Sequence, residues 1–382
     1  MFLLWIMCCF LIGIMAVDFY QNVKNAQNDE FLKVFLAKQG NVMYNLSYQF
    51  HFEGEYIMKK IIALLLAMMM VVSMAACGNA GGDNAGGASK MVMGTGGPSG
   101  TYYSYGGVLS QYMTEKTGIA VNPVSTDGSK ANIVGIDYGD YQLATVQSDV
   151  MAYAWQGSRS FEKEGKIQSF RVIGGLYAEA VQLVTMDANI KSVADLKGKN
   201  VSIGAPGSGV YFNAVDVLTA AGLTVDDINA QYQSFGDSAD ALKDGKIDAA
   251  FIVAGAPTPA ITELATSANA YLVPIDGAVA DKLMADCPFY TVYEIPAGTY
   301  KGQDAAVKTV TVKATMIVSA DATEDDVYKL TAAIFDNIEA ITKEHAKGAE
   351  LTLENATDGM TAPFHAGAAK YFKEKGINVE TN

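Results

Sequence analysis

The sequence predicts an α/β protein built as two similar halves, and three observations carry that expectation. From Lys90 to Asn382, short apolar runs alternate with amphipathic stretches at helical spacing, the pattern of strands interleaved with helices. A strand, a G-x-x-G loop and a helix occur twice, with the loop at Gly94–Gly97 and again at Gly204–Gly207. The 382-residue chain also has room for two or three domains at roughly 150 residues each.

The elements follow in order. Met91–Met93 reads as a strand running into the loop GTGGPSGT. Tyr105, Val108, Leu109, Tyr112 and Met113 recur at helical spacing, and Gly118 ends that helix. Ile119–Val124 is the next strand, and the turn STDGS leads into a helix capped by Ser129. A third strand, Tyr141–Gln147, ends at Gln147-Ser148-Asp149, and Phe170–Leu176 and Val181–Thr185 follow as two apolar runs. The second unit opens with the strand Asn200–Ile203, the loop GAPGSG and a helix closed by Gly222. Gln231–Ser234 is extended, Asp237–Gly245 is a short helix, and Ile247–Val253 is a buried strand. Thr311–Ser319 is a long strand placed to cross back to the first half. Val327, Leu330, Ile334, Ile338 and Ile341 mark one amphipathic helix ending near Gly348. A last helix follows Pro363 and stops at Gly376.

Composition narrows the function. With 18% charged and 10% aromatic residues, the chain is neither disordered nor fibrous. Its 27 basic residues face 41 acids, giving a net charge of −14, and only Arg159 and Arg171 are arginine. A nucleic-acid surface needs concentrated positive charge, so no nucleic-acid partner is expected. Phe2–Val17 is apolar, but the lysines flanking it all follow it, a bias that opposes export. From Met58, by contrast, Lys59 and Lys60 precede the apolar run IIALLLAMMMVV and the small residues before Cys77, the layout of an export signal. Residues 1–57 are therefore expected to be a spurious upstream extension, 58–76 a signal peptide, and 77–90 a flexible tether. Ala75-Ala76-Cys77 resembles the bacterial lipobox, which implies a lipid on Cys77 and a membrane anchor.

Catalysis is disfavoured. Beyond the tether only Cys287, His345 and His365 remain, with no partner at metal or triad spacing. Cys287 reads as a small buried hydrophobe. The glycine loops fail both nucleotide tests. After Gly94 and Gly96 the third glycine, Gly100, comes one residue late for a dinucleotide fingerprint, and Val210-Tyr211 replace the Lys-Ser/Thr of a P-loop. No catalytic residue, metal or cofactor is assigned. What remains is recognition of a small anion by backbone N–H groups and hydroxyls at strand ends. Thr95, Ser99, Thr101 and Tyr102 crowd the first loop, Ser125, Thr126 and Ser129 the second, and Ser208 the fourth, while Gln147 and Asp149 close the third strand.

Several segments taken together resemble the substrate-binding subunits of TRAP transporters, TAXI family. They are GTGGPSGTYY, STDGSKANI, ATVQSDVMAYAWQG, SVADLKGKNVSIGAPGSG, IPAGTYKGQDAAVKTVTVKA and PFHAGAAKYFKEKG, spanning Met91 to Gly376 in order. The resemblance implies a two-lobed periplasmic-binding-protein type II fold with two crossover strands. Lobe 1 would be 91–184 plus 310–382, and lobe 2 would be 185–309. It implies a monomeric, lipid-anchored, extracytoplasmic subunit. Such a subunit captures a small organic acid or amino acid, commonly glutamate or glutamine, and delivers it to a membrane permease. A related TRAP family clamps the carboxylate with arginine. Here neither arginine lies in a glycine loop, and Arg171 reads as a structural ion pair. The carboxylate is accordingly expected on backbone N–H groups around Gly96, Gly97, Gly100, Gly207 and Gly209, helped by Thr95, Ser129 and Ser208. Asp149 and Glu179 would accept from an amine, and Tyr102, Tyr103 and Tyr211 would wall the ligand. An ABC-type or sensory binding lipoprotein of the same fold is the alternative reading, and a secreted hydrolase the weaker one.

Overall fold

The computed structural model describes residues 90–381, so the expected leader, the Cys77 anchor and the tether up to residue 89 lie outside the described residues. In chain order the elements are β1 (Lys90–Gly94), α1 (Thr101–Thr117), β2 (Ala120–Val124), α2 (Ser129–Asp137), β3 (Leu143–Gln147), α3 (Ser148–Gln156) and β4 (Phe170–Thr185). Then come β5 (Asn200–Ser202), α4 (Val210–Ala220), β6 (Asn229–Gln231), α5 (Phe235–Lys243), β7 (Ala249–Ala254), α6 (Pro259–Ser267), β8 (Tyr271–Val273), α7 (Gly277–Asp286) and β9 (Thr291–Ile295). The chain closes with β10 (Val307–Ser319), α8 (Glu324–Phe335), α9 (Ile338–Glu344), α10 (Leu353–Thr357) and α11 (Ala366–Glu374). No helix of the described residues is long and apolar enough to cross a membrane.

This is a mixed α/β fold. The strands form one open sheet in the order β2-β1-β3-β10-β4-β7-β5-β6, with β8 paired to β4 and β9 to β10. Pairing is parallel at both ends, in β1–β2, β1–β3, β5–β6 and β5–β7. It is antiparallel in the middle, where β10 lies against β3 and β4, and β4 against β7. The hydrophobic core divides along these two central strands. Phe170–Tyr177 of β4 and Ala314–Val318 of β10 pack with the first half and the C-terminal helices. Ala180–Val184 of β4 and Val310–Val312 of β10 pack with residues 190–300. The two apolar runs of the sequence, Phe170–Leu176 and Val181–Thr185, are thus one continuous strand of 16 residues.

Several local expectations need correction. Ser129 does not cap its helix. Gly128 holds that position at φ 107°, a left-handed-side conformation open to glycine, while the Ser129 hydroxyl accepts from Gln147 N at 3.1 Å. The helix expected up to Gly348 breaks into α8 and α9 at Asp336-Asn337. There the Asp336 carboxylate takes hydrogen bonds from Tyr371 and Lys375, and Asn337 Nδ2 donates back to Ala333 O. Short polar side chains that bond locally compete with helix continuation. Arg171 makes no recorded ion pair among the described residues. Its guanidinium donates to the carbonyls of Gln168 and Phe170 and lies over the Trp155 ring. Both histidines serve helix starts, His345 Nδ1 accepting from Lys347 N and His365 Nδ1 from Gly367 N.

Candidate functional site

Strand C-termini from both halves converge on one cavity of about 300 Å³. The first half contributes the β1–α1 loop (Gly96–Tyr102), the β2–α2 loop (Ser125–Ser129) and Gln147 at the end of β3. The second contributes the β5–α4 loop (Ala205, Ser208, Gly209), the β6–α5 loop (Gln233–Phe235) and the end of β7. Glu179 reaches in from the middle of β4, the strand the halves share. In open α/β sheets this end of the strands is where ligands sit, because loops and helix N-termini present unpaired polar groups there.

The halves are engaged around this space. Thr101 Oγ1 donates to Gly255 O at 2.9 Å, Ala260 N to Ser99 O at 3.1 Å, and Ala131 N to Gly207 O at 3.1 Å. Behind the cavity, Gln147 Nε2 donates to Asn213 Oδ1 at 2.9 Å. Asn213 Nδ2 in turn donates to Asp149 Oδ2 (2.9 Å) and the Tyr290 hydroxyl (2.7 Å). The Tyr290 hydroxyl donates to Asp216, whose other oxygen takes Arg159 Nη1 at 2.7 Å.

The lining contains no Lys, Arg or His, and its ionisable acids are Asp127 and Glu179. Glu179 is buried and accepts from the Tyr102 hydroxyl at 3.0 Å. Burial pushes its carboxyl up to about 8, against the opposing pull of the Tyr102 hydroxyl. Gln147 Oε1, Gln233 Oε1 and Ser208 Oγ are buried with no hydrogen-bond partner among the described residues. A buried polar atom without a partner is costly, and all three of these residues line the cavity.

Of the residues expected at the site, Gly96, Gly97, Gly100, Tyr102, Ser125, Ser129, Gln147, Glu179, Ser208 and Gly209 line the cavity. Thr95, Tyr103, Asp149 and Gly207 do not. Thr95 is fully buried and spends its hydroxyl on Val124 O at 2.6 Å, tying the first two strands together. Tyr103 points outward, 39% exposed. Gly207 faces Asp127 and Ala131 across the cleft. Asp149 lies behind Gln147, where burial pushes its carboxyl up to about 7. Tyr211, expected as a wall, packs edge-on against Phe212. Thr101, one of the hydroxyls of the first loop, also lines the cavity, while sequence reasoning missed Gln233, Phe235 and the Asn213–Asp216–Tyr290 cluster. Asn213 and Asp216 sit three residues apart on α4, an i, i+3 spacing visible in the sequence but without meaning until Arg159 and Asp149 arrive from the other half.

Fold and cavity together define an α/β protein whose polar pocket is walled by two halves that share strands β4 and β10. The NMT1-like family profile matches residues 93–376, and the chain belongs to the NMT1-like family. Among solved structures it is similar to the periplasmic aliphatic sulphonate binding protein SsuA from Escherichia coli, at 16% identity and TM-score 0.40, over 76% of this chain and 91% of that one. It is also similar to PhnD1 from Prochlorococcus marinus in complex with methylphosphonate, at 13% identity and TM-score 0.46, over 68% and 89%. A third is the GluR0 ligand-binding core from Nostoc punctiforme in complex with L-glutamate, at 14% identity and TM-score 0.41, over 68% and 100%.

Proposed function

We propose that this protein is an extracytoplasmic solute-binding lipoprotein, anchored through Cys77, that captures a small amino acid or carboxylate and delivers it to a TRAP-type permease. The observation that carries this reading is the cavity itself. Its walls come from both halves, and Gln147, Gln233 and Ser208, each with a buried side-chain oxygen that has no hydrogen-bond partner among the described residues, help line a space of amino-acid size. The halves are read as the lobes of a type II periplasmic binding protein, with β4 and β10 as the crossover strands. A bound solute touching both lobes would stabilise the closed form, which is the form a permease would recognise.

In such a complex an amine would meet Glu179 and Gln147. A carboxylate would rest on the first-turn N–H groups of α1 and α4, where the helix ends are positive. That arrangement needs no arginine, in keeping with a lining that has none. The same cavity would serve an ABC-type permease equally, and the transporter that co-purifies with the anchored protein separates the two. The test of solute binding is calorimetry and thermal shift on residues 91–382, stripped of copurified ligand, against amino acids and dicarboxylates. Saturable binding with a raised Tm is expected, and no response to any of them would overturn the reading.

A further inference from the structure

We propose that capture of an amine-bearing solute in this cavity drives one proton off the Glu179 carboxyl into solvent, so that the protein takes its ligand in exchange for H⁺. The inference rests on the cavity being the solute site and on the solute's ammonium meeting Glu179.

Glu179 is buried in the middle of β4 and lines the cavity. Two donors are already turned on its carboxyl. The Tyr102 hydroxyl donates to Oε2 at 3.0 Å, and the Ser129 hydroxyl supplies a hydrogen to the Tyr102 oxygen. Gln147 Nε2, which gives one hydrogen to Asn213 Oδ1 at 2.9 Å, meets the Glu179 carboxyl with the other. Both contacts favour the ionised form of Glu179. The hydrogens of this corner are thus spent on Glu179 itself, and the corner is prepared for a carboxylate.

What the corner lacks is a positive charge, since the lining contains no Lys, Arg or His. The titratable and charged groups around Glu179 are Tyr102 on α1, Asp149 on α3, Tyr177 on β4 itself and Lys347 in the turn Ala346–Glu350. Asp127 shares the lining. Lys347 is buried outside the lining and bound to Glu350 Oε1 at 2.6 Å, so its charge is already matched. Asp149 adds a like charge. Without a free cation, burial keeps the Glu179 carboxyl protonated up to about 8.

A solute ammonium supplies the missing charge. The O–H bond of Glu179 breaks, its proton passes to solvent, and the carboxylate keeps its bonds from Tyr102 and Gln147 while pairing with the ammonium. A neutral acid and a cation enter; an ion pair and one H⁺ result. A solute that brought a carboxylate or carbonyl to Glu179 would leave the proton in place.

The test is calorimetry of the purified full chain, stripped of copurified ligand, with L-glutamate, L-glutamine and L-leucine in phosphate, HEPES and Tris at pH 7. The slope of binding heat against buffer ionisation heat counts the protons. Release of close to one proton is expected for whichever amino acid binds, with affinity tightening about tenfold from pH 6 to pH 7. Binding with no proton released, or with uptake, overturns the inference and leaves solute binding standing. Asp149→Asn should still release the proton, and loss of the release there would assign it to Asp149 and overturn the inference. Glu179→Gln should release none, and a release that persists in it overturns the inference as well. Binding of none of the three amino acids fails the solute reading itself, and the inference with it.

Discussion

Arg159 Nη1 lies 2.7 Å from Asp216 Oδ1, an ion pair that spans the two halves. Arg159 is also the one non-glycine residue among the described residues with a positive φ, 53°. Its guanidinium sits over the Tyr153 ring and donates to Cys287 Sγ at 3.3 Å. Removing one partner of a buried pair costs roughly 3–5 kcal/mol, because the other charge stays buried. Arg159 is itself 38% exposed, so solvent screens the pair and the cost drops. Arg159→Ala is expected to destabilise the protein by about 2 kcal/mol in denaturant unfolding. It should also weaken ligand binding, since the pair joins the two halves that wall the cavity. An unchanged transition midpoint would remove Arg159 from the closure mechanism.

Gly209 gives a sharper prediction for binding. A methyl group there meets Gln147 Oε1 and lies close to Val150. Gly209→Ala must push the Gln147 side chain into the cavity or hold the halves apart. An overpacking cost of about 3 kcal/mol, borne by the closed form, corresponds to about a 100-fold loss of ligand affinity. The Tm of the ligand-free protein should fall only by the share of that cost that the halves cannot relieve by moving apart. Calorimetry beside a thermal melt distinguishes the two effects.

The buried carboxyls make stability pH-dependent in a definite direction. Glu179 is raised to about 8 and Asp149 to about 7, both by burial. Folded protein holds these protons where unfolded chain, with carboxyls near 4, has released them. Their contribution is therefore complete below pH ~4 and is lost as pH rises through about 7 and then about 8. His345 and His365 are lowered by burial and act with the opposite sign, but only below about pH 6.5. Between pH 7 and 8.5 the acids govern, and the Tm of ligand-free protein should fall up to about pH 8 and then level off. A flat or rising Tm over that window would contradict the burial assigned to Glu179.

Glu179→Gln separates charge from shape at the same place. The amide can still accept from the Tyr102 hydroxyl, so the fold should hold. An ammonium ligand would draw the proton off Glu179 on binding and so gain a counter-charge that the amide cannot supply, and affinity for amino acids is expected to fall at least tenfold. The decline in Tm between pH 7 and 8.5 should become shallower in the same variant. Parallel titrations of the two proteins check both statements.

The fold was largely legible because its signals are local. Alternating apolar runs, glycine stops at Gly118, Gly222 and Gly376, and paired glycine loops each report on a few neighbouring residues. The continuity of β4 was not legible, because Tyr177, Ala178 and Glu179 interrupt its apolar pattern with a polar group that the site requires. At the cavity the loops were visible but their facing was not. Thr95 and Ser208 look alike as hydroxyls in glycine loops, yet one closes on Val124 O and the other is left unpartnered. Asp149 stands two residues after Gln147, at the strand end where ligands are expected. A strand ends between them, and the Asp149 carboxylate lies behind Gln147, on the far side of Asn213. Asn213, Asp216 and Tyr290 lie more than 60 residues from Asp149, and no local pattern announces a contact over that separation.

The paired strands β4 and β10 also shape what can be done with the gene. The chain leaves the first half along one strand and returns along its antiparallel neighbour, where Thr309 Oγ1 bonds Val181 O. The second half is therefore a cassette whose two ends lie side by side. It can be exchanged for that of a relative, or joined to a fluorescent reporter, without cutting the core made by residues 91–177 and 314–372.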